Sequence, residues 1–512
     1  MTVTRSRVEF GDFQTPSELA REVCAVVSRT GFRPAAIIEP TCGVGAFLQA
    51  AIESFPDASQ VVGVDRNPSY VMTAQTVVNG LTERTDVTVR KGDFFQFDWH
   101  RTVNELPEPL LVIGNPPWVT NSALGTLGSQ NLPDKSNIDD LRGIEALTGN
   151  SNFDISECML RQSLQWLQGR VGVLAVLCKT TVARKILAYA WAKGIEIESA
   201  SIHQIDAKTH FRASVDACLL VIHIRPRCAA RSCSVFSSLT HASATQTIGL
   251  REGKLVADLD RFERWNHLSA TGLSGWRSGV KHDCSKVFEL TRIDGAFVNG
   301  LNEQTNIEQD VVFPMLKSSD LASGRDPGKW MFVPQRSMSD APSRLQSTAP
   351  MAWQYLVNHA GVLEKRGSSI YRNRPPFSIF GVGGYTFAPW KVAISGLYKS
   401  LNFVAVPPVE SKPVVFDDTC YLFPCNSEEE CAALLELMTS DAAREFLSSF
   451  VFWDSKRPIT AKLLNSLNLG ALAQSLGMKS DVVQLLADRQ RTRYNRQTQQ
   501  RLLFGESESP AV

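Results

Sequence analysis

At 512 residues the chain is too long for one ordinary domain, and an apolar fraction of 43% is enough to build real cores. Lys and Arg number 53 against 52 Asp and Glu, a formal charge of +1, which excludes a uniformly basic surface and leaves any basic face local. No apolar run approaches the roughly 20 residues of a membrane span, and Met1 to Arg7 lack the apolar core of a signal peptide. Eleven cysteines at no framework spacing fit a reducing, cytoplasmic setting. Cys228 and Cys233 have histidines nearby but no paired short-spaced ligands, so no metal site is expected.

In chain order, Phe10-Gly11-Asp12-Phe13-Gln14-Thr15-Pro16 leads into a helical pattern of Leu19, Val23, Val26 and Val27, with Ser17 as its expected cap. Ile37-Ile38-Glu39 reads as a short strand, followed by Pro40-Thr41-Cys42-Gly43-Val44-Gly45 opening into a helix. Two glycines in a tight turn let a ligand approach the backbone closely. The third glycine of the dinucleotide fingerprint is absent, and no Gly-Lys-Ser/Thr of a phosphate loop follows. The Glu39 carboxylate beside this turn repels a pyrophosphate but suits a sulfonium or an ammonium. The next strand, Val61 to Val64, ends at Asp65, where an acidic side chain can take ribose hydroxyls. Val87 to Arg90 ends in Lys91-Gly92-Asp93-Phe94-Phe95, which places Asp93 to accept from an adenine amino group with Phe94 or Phe95 against the ring. Each acidic strand end, taken singly, is more often a helix cap; three in register point to a ligand.

Leu110 to Gly114 runs into Asn115-Pro116-Pro117-Trp118. The apolar run predicts a buried parallel strand, and the prolines end it because they cannot donate to a ladder. Asn115 and Trp118 are thereby left at the carboxyl edge of a sheet, where open α/β folds bind ligands. An amide beside an exposed ring suits a planar, amino-bearing base, read here as adenine. The polar stretch from Trp118 to Asn152 is long enough to be functional and is expected to lie over that base. Asn152-Phe153-Asp154 then opens a helix with Ile155, Met159, Leu160, Leu164 and Leu167. Val171 to Leu177 is a fifth strand, Thr181 to Ala192 a helix, and Cys218 to Ile224 a last strand preceded by His210-Phe211-Arg212. The alternation predicts a doubly wound, mostly parallel sheet.

From Pro226 to Asp260 the composition is that of a connector. Phe377 to Gly396 mixes glycines and aromatics, with Arg366, Arg372, Arg374, Lys391 and Lys399 along and around it. As a set these fit phosphate contacts about a base-reading surface, while any one of them is more often simply solvated. Val451 to Thr460 adds Lys456 and Arg457. Leu485 to Leu503 carries Arg489, Arg491, Arg493, Arg496 and Arg501 on an expected helix that either grips phosphates or packs. Pro424-Cys425 is superficially like a cytosine-C5 nucleophile but lies far downstream of the cofactor strands, and is read as structural. The division expected is 1–230, a connector over 231–300, and 301–505, with no separate nuclease domain.

These residues resemble the amino-methylating DNA methyltransferases that use S-adenosylmethionine, in the adenine-N6 type found in restriction–modification and phage-defence systems. The resemblance spans essentially the whole chain, strongest through Asn115-Pro116-Pro117-Trp118 and looser from Asn152 to Ile224. It implies a Rossmann-like α/β methyltransferase domain of seven strands, the last antiparallel, then a mixed α+β target-recognition domain. It also implies that Phe13, Thr15 and Pro16 close over the methionine part of S-adenosyl-L-methionine. Glu39, Pro40, Thr41, Gly43, Gly45, Asp65, Asp93, Phe94 and Asn115 would hold that cofactor, and Asn115 to Trp118 would carry the catalysis. Trp118 and Phe211 would contact a flipped base, while Arg372, Arg374, Lys391, Lys399, Lys456 and Arg457 would touch DNA. The partners implied are double-stranded DNA and a cognate restriction endonuclease or other defence proteins, with no membrane, for a monomer or weak dimer. Three rivals stay open: cytosine-N4 methylation, where Ser is more usual than Asn at the first motif position; protein glutamine methylation, which shares the Asn-Pro-Pro turn; and a catalytically silent DNA-specificity subunit, against which Asp65, Asp93, Asn115 and the glycine turn count.

Overall fold

The computed structural model describes residues 14–81, 85–119 and 154–490, and the chain divides into two compact units, Met1–Leu259 and Asp260–Val512. Phe10 to Phe13, the polar stretch from Thr120 to Phe153, and Arg491, Arg493, Arg496 and Arg501 lie outside the described residues.

Short runs that are apolar on both faces become strands of a parallel sheet covered by helices on each side. In the first unit these are β1 (Ala36–Glu39), β2 (Gln60–Asp65), β4 (Leu110–Gly114) and β5 (Gly172–Lys179), joined at the edge by the more exposed β3 (Asp86–Lys91). They run parallel in the order β3-β2-β1-β4-β5. Beyond β5, β7 (Ala217–Ile224) lies antiparallel between β5 and β6 (Ile197–Ile205). The seven strands with a reversed last member therefore form as expected. The sequence reading missed β6, because it alternates only in part: Ile197, Ala200 and Ile202 are buried between exposed positions.

The helices are α1 (Ser17–Arg29), α2 (Ala46–Ser54), α3 (Pro68–Val78), α4 (Trp99–Glu105), α5 (Ile155–Leu167), α6 (Thr180–Ala192) and α7 (Ala207–Phe211). Leu19, Val23 and Val27 of α1 pack with Phe47 and Leu48 of α2 against Ile37, Val61 and Leu111 of the sheet. Ser17 is not the cap of α1: Pro16 occupies the cap position, with no side-chain cap bond. Asp154 does cap α5, accepting from the Ser156 N–H at 3.1 Å.

Where a connector was expected from residue 231, three more strands extend the sheet: β8 (Ser232–Phe236), β9 (Gln246–Arg251) and β10 (Lys254–Val256). Their Ser, Thr and Arg face outward while Cys233, Val235 and Ile248 turn in, so a composition average reads them as linker. Residues 260–300 belong to the second unit.

The second unit is mixed α+β. Six strands, β12 (Glu289–Ile293), β13 (Ala296–Asn299), β14 (Gln304–Thr305), β15 (Val312–Leu316), β16 (Lys329–Phe332) and β19 (Val415–Phe416), form one sheet. The other sheet, in the order β11-β20-β17-β18, contains β11 (Arg277–Ser278), β17 (Trp390–Ser395), β18 (Phe403–Val406) and β20 (Cys420–Cys425). Helices α8 (Glu428–Thr439), α9 (Asp441–Ser448) and α10 (Leu469–Ser475) cover it, with Leu434, Leu437, Phe446 and Leu472 against Val392, Ile394 and Phe423. Cys425 is buried in β20.

Lys391, expected on a DNA-facing surface, is instead buried in β17 at 1% exposure, its Nζ donating to the Ala388 carbonyl at 2.6 Å. Loss of hydration pushes its ammonium down to about 7. An unfolded lysine binds its proton up to ~10.4. Between those values the unfolded chain holds more protons, so stability rises with pH across that window and falls as pH drops toward 7. Lys391→Met should stabilise the second unit at pH 7 by ~1–3 kcal/mol and flatten the rise toward pH 9.5 in urea-unfolding curves. Equal pH slopes for the two proteins would contradict this.

Candidate active site

The chain lays β2 and β3 to one side of β1 and β4 and β5 to the other, so the strand order reverses between β1 and β4. A crevice opens at the carboxyl ends there because the two connecting loops leave in opposite directions. Glu39 ends β1 and Gly114 ends β4, and the two meet: a Cβ on Gly114, whose φ is +153°, would lie 3.4 Å from Glu39 Cγ and 4.0 Å from Pro40 Cδ. Glu39 is 2% exposed. The Leu48 N–H in the first turn of α2 donates to its carboxyl group, yet Oε2 has no hydrogen-bond partner. Burial holds its carboxyl proton well above the usual carboxylate range, and the nearby Asp65 charge adds to this. A buried carboxyl oxygen left unsatisfied is unfavourable, and its chemistry fits a positively charged ligand group.

The tight turn read from the sequence is there, left-handed at both glycines, with φ of +50° at Gly43 and +92° at Gly45. A side chain on Gly45 would press on Ala74 of α3 at 3.1 Å. Asp65 Oδ2 accepts from the Gly43 N–H at 2.8 Å and Oδ1 from the Asn67 N–H at 2.8 Å, so the end of β2 braces the turn that follows β1. A carboxylate has about four acceptor sites, which leaves capacity for ligand hydroxyls. Thr41 Oγ1 is buried there without a hydrogen-bond partner, and burial pushes the neighbouring Cys42 thiol up.

The segment before α1 spans this turn and the Asn115–Trp118 turn. Gln14 Oε1 accepts from the Val44 N–H at 3.2 Å, and Thr15 Oγ1 accepts from Asn115 Nδ2 at 3.3 Å. Gln14 is a contact that sequence reasoning missed, although it stands beside Thr15. At the end of β3, Asp93 accepts from the Phe95 N–H at 2.9 Å and pairs with Arg66 at 3.6 Å. Phe94 is not available to a ligand ring: it is 4% exposed, against Trp99 and Trp166 at 5.8 and 5.7 Å. The open ring is its neighbour Phe95, at 37% exposure.

In the Asn115–Trp118 turn Pro116 is buried and Pro117 half-buried. Trp118 is not the exposed ring expected; it is 7% exposed. Its Nε1 donates to the Leu177 carbonyl at 3.3 Å, and its ring meets Phe211 edge-on at 5.1 Å and 73°. Phe211 closes α7 and is itself 8% exposed. The cause is β5, which runs past the Gly114–Val176 pair to Lys179 and walls the turn.

In the second unit Arg372, Arg374, Lys399, Lys456 and Arg457 are exposed, as a phosphate-contacting set requires. Arg374 lies over the Phe380 ring at 5.2 Å and Arg457 pairs with Asp418 at 3.4 Å. Arg366 serves the fold, donating to the Ser378 carbonyl at 2.7 Å and stacking on Tyr371. Arg489 makes two bonds to the Glu430 carboxylate, at 2.7 and 2.9 Å, so the described part of the tail packs.

No family model matches the chain. It is 42% identical over 478 residues to the type II methyltransferase M.NspV of Nostoc sp., covering 92% of this chain and 98% of that one. The type II methyltransferase M.XamI of Xanthomonas campestris pv. amaranthicola is 33% identical over 119 residues, 22% of this chain and 21% of the other. Among solved structures, the type IIL restriction–modification enzyme MmeI in complex with DNA shares the fold, with a TM-score of 0.50 and 12% identity over 95% of this chain and 73% of that one. A match along nearly all of M.NspV, on a sheet whose reversal point carries a glycine turn and two carboxylates suited to a cationic nucleoside, gives the assignment. The chain belongs to the type II methyltransferases of restriction–modification systems, which draw their methyl group from S-adenosyl-L-methionine.

Proposed function

We propose that the chain methylates the N6 amino group of adenine within a specific double-stranded DNA sequence, on a base turned out of the helix. The observation that carries this reading is the placement of Asn115. It leaves β4 at the strand-order reversal, tied to Thr15, beside the end of β1 with its buried Glu39.

When bound, S-adenosyl-L-methionine supplies a methyl group already activated as a sulfonium, so the chain needs no covalent nucleophile. Glu39 would hold the cationic portion, Asp65 would take ribose hydroxyls, and Asp93 with Phe95 would hold the adenine end. Gln14, Thr15 and Pro16 would close over the methionine end. The amino nitrogen of the target base is a poor nucleophile because its lone pair is delocalised into the ring. Asn115 Oδ1 and the Pro116 carbonyl each accept one amino hydrogen and draw that nitrogen toward a tetrahedral shape. Trp118 and Phe211, both nearly buried and packed edge to face, stiffen the turn that receives the base. In-line attack then depends on positioning. The exposed Arg372, Arg374, Lys399, Lys456 and Arg457 contact phosphates as the second unit reads the sequence, and the cognate endonuclease is a separate partner.

Labelled cofactor, the purified protein and duplex DNA of mixed sequence should yield N6-methyladenine on nucleoside analysis. Exclusive N4-methylcytosine, or label on a polypeptide in place of DNA, would overturn the reading. Asn115→Ala should lower transfer by ~10³-fold, the scale of losing a key transition-state contact. Its cofactor affinity should stay within about threefold of wild type, and an equal loss of binding would contradict the division of roles.

Glu39 makes cofactor affinity depend on pH. The bare chain keeps the Glu39 proton to unusually high pH, whereas a bound cation favours the carboxylate. Binding therefore releases a proton, and affinity should climb as pH rises above the ordinary carboxylate range, until the Glu39 proton is lost in the bare chain as well. Glu39→Gln should bind more weakly with a flatter profile in calorimetric titrations. A Gln variant as tight as wild type across that range would refute the role.

A further inference from the structure

Lys179 ends β5 just where the chain turns into α6, and nothing above uses it. Its Nζ donates to the Trp118 carbonyl at 3.1 Å and to Asp154 Oδ2 at 2.7 Å. Both partners are buried, Trp118 at 7% and Asp154 at 5% exposure, and the lysine side chain is 20% exposed. One bond higher, the Ile155 N–H donates to the Val119 carbonyl at 2.9 Å. The indole of Trp118 is held from the same strand, by the Leu177 carbonyl. The last residues of β5 therefore grip Trp118 at both its ring and its carbonyl, and tie that carbonyl to the start of α5.

We propose that Lys179 is a positioning residue for methyl transfer: its ammonium, clamped between the Trp118 carbonyl and the Asp154 carboxylate, fixes the Asn115–Trp118 turn in the geometry that transfer requires. The inference rests on the reading of that turn as catalytic and adds a residue to it. Prolines at 116 and 117 stiffen the turn but remove its backbone donors, so its outer end must be held by acceptors and side chains. A charge-assisted hydrogen bond is the stronger kind available. Asp154 has a second duty as the cap of α5, accepting from the Ser156 N–H. Asparagine caps a helix as well as aspartate does, so Asp154→Asn separates the cap from the charge.

The test is single-turnover methyl transfer on duplex DNA by wild type, Lys179→Met, Lys179→Arg and Asp154→Asn, with cofactor and DNA affinities and melting temperature measured for each. Misplacing a catalytic group by about 1 Å costs ~100-fold in rate. Lys179→Met should accordingly slow transfer ~10–100-fold with cofactor affinity within about twofold of wild type. Lys179→Arg should recover most of the rate, and Asp154→Asn should fall between. A rate unchanged in Lys179→Met overturns the proposal. So does a loss of rate matched by lost cofactor affinity and melting temperature and not relieved by Arg, which marks a brace for the fold alone. If Lys179→Met does not fold, Asp154→Asn at full rate overturns it and Asp154→Asn slowed with intact binding sustains it. A wild-type protein that makes no N6-methyladenine sinks the adenine reading by itself, and the Lys179 comparison is then made on whatever product wild type yields.

Discussion

A carboxyl group buried where the strand order turns back is the constraint around which the first unit is built. Glu39 must sit at the end of β1 because β1 is the strand from which the sheet grows in both directions. It must be buried because β4 closes against it, with Gly114 leaving only van der Waals room. The helix N–H of Leu48 reaches the Glu39 carboxyl group from one side, while the buried Oε2 is left without a partner. The glycines of the following turn serve the same end. A side chain at position 45 would push α3 away, and α3 starts from the turn that Asp65 holds.

Rigidity is distributed over neighbouring strands rather than concentrated in the Asn115–Trp118 turn. Asp65 of β2 fixes the turn after β1, Thr15 ahead of α1 fixes Asn115 after β4, and Leu177 and Lys179 of β5 fix Trp118. Each functional group is thus held by an element other than its own. Hydrogen bonds between elements of high sequence separation form only once the sheet has closed, so the site and the fold are completed together. The aromatic pair of Trp118 and Phe211 is a product of this arrangement: two nearly buried rings locked edge to face.

Much of the first unit was legible in the sequence because most of its parallel strands are short apolar runs, closed by a polar residue or a turn. Glu39, Asp65, Asp93 and Asn115 fall at strand ends for that reason. What was not legible has physical causes. Phe94 and Phe95 are equivalent in a one-dimensional reading, and only the packing of Trp99 and Trp166 decides which ring goes inside. Trp118 follows two prolines, which signal a turn but not the neighbouring strand that buries the ring. Lys391 looks like other basic residues among aromatics, yet β17 is a central strand whose inward position takes whatever side chain it is given. β8 to β10 carry polar residues on their open face and vanish into the average of a linker. Lys179 had no motif at all, since its partners lie at 118 and 154.

The most direct measurement is a crystal structure of the chain with bound S-adenosyl-L-methionine. The account predicts the ribose hydroxyls on Asp65, the cationic part of the ligand beside Glu39, and the transferable methyl directed at the space in front of Asn115. A cofactor bound away from the crevice between β1 and β4, or with its methyl directed away from Asn115, would contradict it.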